Sequence, residues 1–227
     1  YSVGLDTGNM FAAVAAVIGS GALVGLAYSI LTITLKANQT VSGLALVTLG
    51  TGISGFVGKA VVGVSSPYGI SEIAIPGLSQ IPVIGPVFFE QDPLVYILYI
   101  FVPLSAFYMM RTKPGIILRA LDADGYPVIG LRYLYTTLGC VLTALGGAYM
   151  TLVSTRFWND SMTAGQGWIA SALVIFSMWN PLIAIGGAVL FSGVNVMTNY
   201  LPMFLPDVPT FFLEMLPYIC TIIVLII

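Results

Sequence analysis

The sequence predicts an all-α, polytopic transmembrane helical bundle with a broken or re-entrant helix near Pro181. Three observations carry that expectation. Of 227 residues, 58% are hydrophobic and only 7% charged, with seven Lys/Arg and nine Asp/Glu. A soluble domain of this length would carry roughly 57 charged residues, about 40 more than are present. The mean hydropathy is +1.01. Finally, 25 Gly and 13 Pro are spread through the apolar runs; membrane helices tolerate both, because neighbouring helices and side chains satisfy the freed backbone groups.

A helix crosses the hydrocarbon core with about 20 mainly apolar residues. On that measure the spans fall, in order, over residues 10–35, 41–62, 94–110, 132–153 and 211–227. Between the last two, residues 167–200 are apolar but interrupted by Trp179, Asn180 and Pro181. Pro181 removes a donor and clashes with the preceding turn, so this stretch reads as two short spans or as a broken, partly re-entrant helix.

The few basic residues set the orientation. Arg111, Lys113, Arg119 and Arg132 border or occupy residues 111–132, which the positive-inside rule places in the cytoplasm. Residues 65–93 contain Glu72, Glu90 and Asp92 but no Lys or Arg, and belong outside. Counting from these anchors puts residues 36–40 inside and 155–165 outside; Arg156 and Lys59 run against the rule. The outer stretch 65–93 holds five Pro (67, 76, 82, 86, 93), and its Val, Ile and Phe content argues against disorder. It reads as an ordered outer cap with a short helical turn near Ser79. Gly21 with Gly25, Gly43 with Gly50, and Gly139 with Gly146 lie four or seven apart, the spacing of tight helix packing. No internal repeat, heptad run or low-complexity tract is found, which weakens a carrier built from inverted repeats.

The composition excludes several functions. A net charge of -2 without a basic block leaves nothing to neutralise a nucleic-acid backbone. With no His and two Cys, no zinc, haem or iron–sulfur set can be assembled. Catalytic elbows, zinc-binding pairs, dinucleotide fingerprints and phosphate loops are all absent. The chain starts at Tyr1 without a basic leader, and the expectation is a cut N-terminus.

Polar residues inside spans are the default functional candidates, and here they are neutral: Asn38 and Gln39 between two spans, Asn180 at the helix break, and Asn195 and Asn199 four apart. Such groups suit a neutral, hydrogen-bonding solute, although hydrogen bonds between helices explain each Asn equally well. Buried acids of the kind an ion or proton carrier needs are missing; Glu214 lies near the outer end of its span, where it can reach water. On the inner side, residues 111–121 place a Pro at the start of a short helix, with basic residues around it and Asp122 and Asp124 after it. A short helix of both charge signs can dock on a soluble partner.

The segments 111–121 (Arg-Thr-Lys-Pro-Gly-Ile-Ile-Leu-Arg-Ala-Leu), 131–134 (Leu-Arg-Tyr-Leu), 145–150 (Leu-Gly-Gly-Ala-Tyr-Met), 162–170 (Met-Thr-Ala-Gly-Gln-Gly-Trp-Ile-Ala) and 174–182 (Val-Ile-Phe-Ser-Met-Trp-Asn-Pro-Leu) resemble the permease subunit of bacterial ABC importers for nucleosides and simple sugars. This is the ribose-type superfamily, in the branch served by basic-membrane-protein lipoproteins. Residues 37–46 and 216–225 are also similar. The resemblance implies a single transmembrane permease domain over residues 1–227 that lacks N-terminal spans. It also implies a second permease subunit, the same or homologous, a cytoplasmic ABC ATPase holding ATP and Mg, and an extracytoplasmic solute-binding lipoprotein. This chain would carry no cofactor and contact membrane lipid but no nucleic acid.

By the same resemblance, residues 111–131 form the coupling segment, with Arg111, Lys113, Arg119, Asp122 and Asp124 facing the ATPase, and the outer cap helps receive the binding protein. The solute pathway would include Asn38, Gln39, Trp179 and Asn180, an aromatic ring stacking on a nucleobase and amides bonding its edge or the ribose. An ion- or proton-coupled carrier or channel subunit stays the alternative, and a structural subunit of a larger membrane complex a third. One departure is local. Where the family continues after Leu-Arg-Ala with a hydrophobic residue and Gly-Glu-Asn-Pro, here Leu121 is followed at once by Asp122. The expectation is a gap of about seven residues at that junction, testable as a Cα separation that departs from about 3.8 Å.

Overall fold

A computed structural model of the chain describes residues 1–65, 73–75, 88–120, 129–160, 162–163, 165–204, 209, 212–213 and 215–226. They are helical nearly throughout. In chain order the helices are α1 (Ser2–Thr7), α2 (Met10–Ser29), α3 (Gln39–Gly58), α4 (Pro93–Arg111), α5 (Lys113–Ala120), α6 (Ile129–Tyr149), α7 (Gln166–Phe176), α8 (Pro181–Phe204) and α9 (Leu216–Ile226). Five helical stretches are long and apolar enough to cross a membrane: Met10–Thr34, Gln39–Val61, Pro93–Arg111, Ile129–Ser154 and Pro181–Phe204. Only 6% to 17% of the most apolar window of each is buried within the chain. Water does not tolerate apolar faces this extensive, whereas lipid or another membrane subunit does. The chain is a multi-pass membrane protein.

The first four spans lie within three residues of their predicted bounds. The region 167–200 resolves into a half-length helix, α7, a break at residues 177–180, and a full-length α8. Of the predicted last span, 211–227, residues 212–213 and 215–226 are described, and the helix there, from Leu216, holds 11 residues, about 16 Å at 1.5 Å per residue. Pro217 stands at its second position, where a missing donor costs nothing.

The chain divides into two compact units, Tyr1–Asp92 with Ala120–Met162, and Pro93–Arg119 with Thr163–Ile227. The first is organised around α2 and α6. A Cβ on Gly21 would lie 2.9 Å from Ala144 Cβ, and one on Gly25 would lie 2.8 Å from Thr137 Cα, so only hydrogen lets the two backbones approach. Partner numbers fall along α6 as they rise along α2, and Thr34 meets Tyr133 through their hydroxyls, so the pair is antiparallel. The other glycine pairs behave differently from expectation. Gly43, Gly50, Gly139 and Gly146 have open space where a side chain would be.

The two main helices of this unit nevertheless share one local pattern. Both α2 and α6 end in Gly-x-Ala-Tyr, at residues 25–28 and 146–149. Each then widens into a five-residue π-helical turn, Ile30–Thr34 and Met150–Ser154. Each turn is closed by a 2.9 Å bond, from Leu35 N–H to the Ile30 carbonyl and from Thr155 N–H to the Met150 carbonyl. A basic residue in the left-handed region follows, Lys36 at φ 51° and Arg156 at φ 58°, and then an Asn, Asn38 or Asn159. Because the two helices run antiparallel, the copies are inverted.

The repeat sorts the first unit into two ends. At one, Lys36, Gln39 and the start of α6 gather, and the Tyr28 hydroxyl donates to the Gln39 carbonyl at 3.5 Å. At the other, Val62 bridges Trp158, Gly63 N–H donates to the Trp158 carbonyl at 3.3 Å, and the Tyr149 hydroxyl donates to Asp92 Oδ2 at 3.0 Å. Within this unit, residues 36–40, read as inner, thus share one end with the start of α6, and Trp158 and Asp92, read as outer, share the other. Of the outer stretch 65–93, two strands are described, β1 (Ile73–Ala74) and β2 (Glu90–Gln91), paired antiparallel with Ile73 opposite Gln91. The turn near Ser79 and the Leu121–Asp122 junction lie outside the described residues.

Candidate functional site

Asn38 and Asn180 take up the same local role. Each precedes a helix, and a short amide side chain there can accept the orphan N–H groups of the first turn. Asn38 Oδ1 accepts from Thr40 N–H at 3.0 Å and Val41 N–H at 3.2 Å, capping α3. Asn180 Oδ1 accepts from Leu182 N–H at 3.0 Å, capping α8 just before which the chain breaks. Gln39 is exposed.

The break itself is strained. Met178 and Trp179 both have positive φ, 50° and 60°, although neither is Gly or Asn; each such residue costs on the order of 1–3 kcal/mol. The backbone remains satisfied: Ser177, Met178, Trp179 and Asn180 N–H donate to the Leu173, Ile175, Val174 and Ser177 carbonyls at 2.9–3.3 Å. The result aims two large side chains outward, Met178 at 80% and Trp179 at 74% exposure, so the Trp179 ring face is free to stack. Asn38 and Gln39 belong to the first unit, Trp179 and Asn180 to the second.

Of the residues expected to face an ATPase, Arg111 closes α4, in the last turn where a cation suits the helix dipole, and Lys113 opens α5. Both are exposed. Arg119 lies in α5, and Asp122 and Asp124 lie outside the described residues.

The first unit also has an open cavity of about 250 Å³ toward its outer end, among α2, α3 and α6. Ser20, Ser54 and Thr151 bring hydroxyls to it, Tyr1 and Trp158 aromatic rings, and Gly58 and Gly147 bare backbone. Ser20 Oγ donates to the Val17 carbonyl at 3.0 Å and Thr151 Oγ1 to the Ala148 carbonyl at 3.1 Å, leaving both oxygens with acceptor capacity. The Tyr1 hydroxyl donates to the Val64 carbonyl and sits 3.3 Å from that of Arg156; burial pushes its pKa up, so it stays a neutral donor. The Trp158 ring lies on Gly58, where a Cβ would come within 2.3–2.5 Å of three ring carbons. No Lys, Arg, Asp or Glu lines the cavity. Such a lining offers hydrogen bonds and a ring face to a neutral polar solute and little to an ion. Among the described residues no group of three or more His, Cys, Asp and Glu could hold a metal ion.

Sequence reasoning singled out none of these cavity residues. Ser20, Ser54 and Thr151 are ordinary helix hydroxyls until α2, α3 and α6 converge. The signal for Trp158 was the repeat, which sets Trp158-Asn159 at one end of the unit where Ala37-Asn38 stands at the other.

Comparison with known proteins adds the family. Residues 2–225 match the family described as the branched-chain amino acid transport system / permease component. The chain is similar to the guanosine ABC transporter permease protein NupQ of Bacillus subtilis, 32% identical over 225 residues, covering 92% of this chain and 70% of the relative. It is likewise similar to the nucleoside ABC transporter permease protein NupC of Lactococcus lactis, 34% identical over 226 residues, 90% of this chain and 70% of the relative. A third relative, TsgC13 of Haloferax volcanii, provisionally named a glucose ABC transporter permease, is 33% identical over 202 residues, 84% of this chain but only 61% of its own length. The chain thus spans about 61% to 70% of the length of these relatives. No solved structure matches significantly.

Proposed function

This chain belongs to the family of branched-chain amino acid transport system permease components, and on that premise we propose that it is the transmembrane permease subunit of an ATP-binding-cassette importer that carries nucleosides or related simple sugars. In a bacterium its place is the inner membrane. The observation that carries the solute class is the lining of the cavity, hydroxyls and aromatic rings without a Lys, Arg, Asp or Glu side chain. Two relatives named for guanosine and nucleoside transport support the same class.

In this reading the chain supplies a path and a lever, and hydrolysis belongs to an ATPase on another chain. An extracytoplasmic binding protein delivers solute at the outer end, where β1 and β2 pair and Trp158 covers Gly58. Residues 111–131 meet the ATPase at the inner end, and its closure on ATP tilts α5, switching access from outside to inside. Asn38, Gln39, Trp179 and Asn180 serve as solute contacts along the path. Asn38 and Asn180 commit one oxygen each to capping and keep their amide N–H donors for solute. A second, equivalent permease subunit covers the open glycine faces of α3 and α6, where small residues invite close helix approach.

The inverted repeat by itself suits a proton- or ion-coupled carrier equally well. The neutral cavity does not, since such carriers place carboxylates on the path. Complementing a strain that lacks nucleoside uptake with this permease and its partner ATPase tests the reading. Labelled nucleoside enters and unlabelled ribose competes less well than unlabelled nucleoside. No uptake of either would overturn it.

A further inference from the structure

The joint between α4 and α5 is built from two residues that the proposed path does not use. Thr112 is the one residue between the helices. Its Oγ1 donates to the Tyr108 carbonyl in the last turn of α4 at 2.6 Å and accepts from the Gly115 N–H in the first turn of α5 at 3.3 Å. Its backbone does the same: Thr112 N–H donates to the Tyr108 carbonyl at 3.2 Å, and its own carbonyl accepts from Ile116 N–H at 3.0 Å. Thr112 is therefore at once the end of one helix and the cap of the next. Pro114 fixes φ in the first turn of α5 where no donor is lost. Gly115 is buried, and a Cβ there would stand 2.3 Å from the Tyr108 carbonyl oxygen, 2.7 Å from Met109 Cα and 2.9 Å from the Met109 carbonyl oxygen. All three are backbone atoms, which cannot rotate away as a side chain would.

We propose that Thr112 and Gly115 are positioning residues that lock α5 at a fixed angle to α4, so that displacement of α5 by an ATPase passes undiminished into the membrane span. Without the shared hydroxyl, or with a methyl group wedged at Gly115, the joint still presents Arg111 and Lys113 to the partner. Its movement is then absorbed at Thr112 instead of reaching Pro93–Arg111. The inference rests on the proposed importer function.

The test uses the whole transporter, permease, ATPase and binding protein, reconstituted in liposomes as wild type, Thr112→Val, Thr112→Ser and Gly115→Ala. Each is read for membrane level, ATPase co-purification, ATP hydrolysis and labelled nucleoside taken up per ATP hydrolysed. Thr112→Val and Gly115→Ala keep the ATPase bound and hydrolysing, while uptake per ATP falls about tenfold or more, the scale of an ångström-level misplacement. Thr112→Ser, which keeps the hydroxyl, stays near wild type. Uptake per ATP unchanged in Thr112→Val overturns the proposal, as does a loss of uptake that merely follows lost ATPase binding or lost membrane level, or a Thr112→Ser variant as impaired as Thr112→Val. Should Gly115→Ala fail to accumulate, the Val and Ser pair decides alone. A wild-type transporter that binds no ATPase and imports no nucleoside refutes the importer reading itself, a result distinguishable from these.

Discussion

Asn38 and Asn180 each spend a side-chain oxygen on a helix start, so their structural cost can be set beforehand. Replacing either with Ala removes a cap worth about 0.5–2 kcal/mol. Thermal unfolding of the purified protein should register that loss, and Ser or Asp should recover it. If the two also contact solute, Ala lowers uptake while ATPase assembly stays intact. Assembly lost together with uptake would leave them as caps only. Gly58 makes a sharper case. A methyl there meets the Trp158 ring at 2.3–2.5 Å, so Gly58→Ala should destabilise by about 1–3 kcal/mol, and adding Trp158→Ala should restore much of the loss. Equal stability of Gly58→Ala and wild type would contradict the contact. At this scale the sequence was partly legible. Asn before a polar-to-apolar boundary already marks a helix start, and Trp179-Asn180-Pro181 already marks a break. The left-handed Met178 and Trp179 were not foreseeable, because neither side chain favours that conformation.

Helices were the most legible elements, since hydropathy and length alone fix a span when the solvent is lipid. The first four agree with expectation within three residues. What length could not reveal is how a helix ends. The π-helical turns at Ile30–Thr34 and Met150–Ser154 follow Gly-x-Ala-Tyr in both copies, yet few side chains match beyond that, so no sequence period announces them. Glycine spacing was similarly ambiguous. Gly21 and Gly25 fulfil it within the chain, while Gly43, Gly50, Gly139 and Gly146 face open space. Gly25→Ala should therefore destabilise the isolated subunit by about 1–3 kcal/mol as α2 and α6 are forced apart. Gly139→Ala should be neutral or slightly stabilising there, by up to about 1 kcal/mol, because Ala is the better helix former. Detergent thermal shifts of the two variants compare them directly, and equal destabilisation would contradict the assigned packing.

For the whole molecule the scarcity of charge acquires a location. Basic residues gather around α5, the segment proposed to meet a soluble partner, and the outer cavity is lined without a Lys, Arg, Asp or Glu side chain. With no Asp, Glu, Lys or Arg side chain on its wall, and the Tyr1 phenol pushed above its ordinary range, the cavity's side chains should add no slope to initial uptake from about pH 6 to 8. A one-proton slope there would point to an ionisable group on the path. In the proposed function ATP, and no ion gradient, drives a neutral solute through this chain. The most direct test measures labelled nucleoside accumulation in proteoliposomes holding the permease and its ATPase, with the binding protein on the opposite side, and with ATP supplied on the ATPase side or with an imposed proton gradient instead. Accumulation with ATP that persists when ionophores collapse all gradients is the predicted result. Accumulation that needs the proton gradient and ignores ATP would contradict the account.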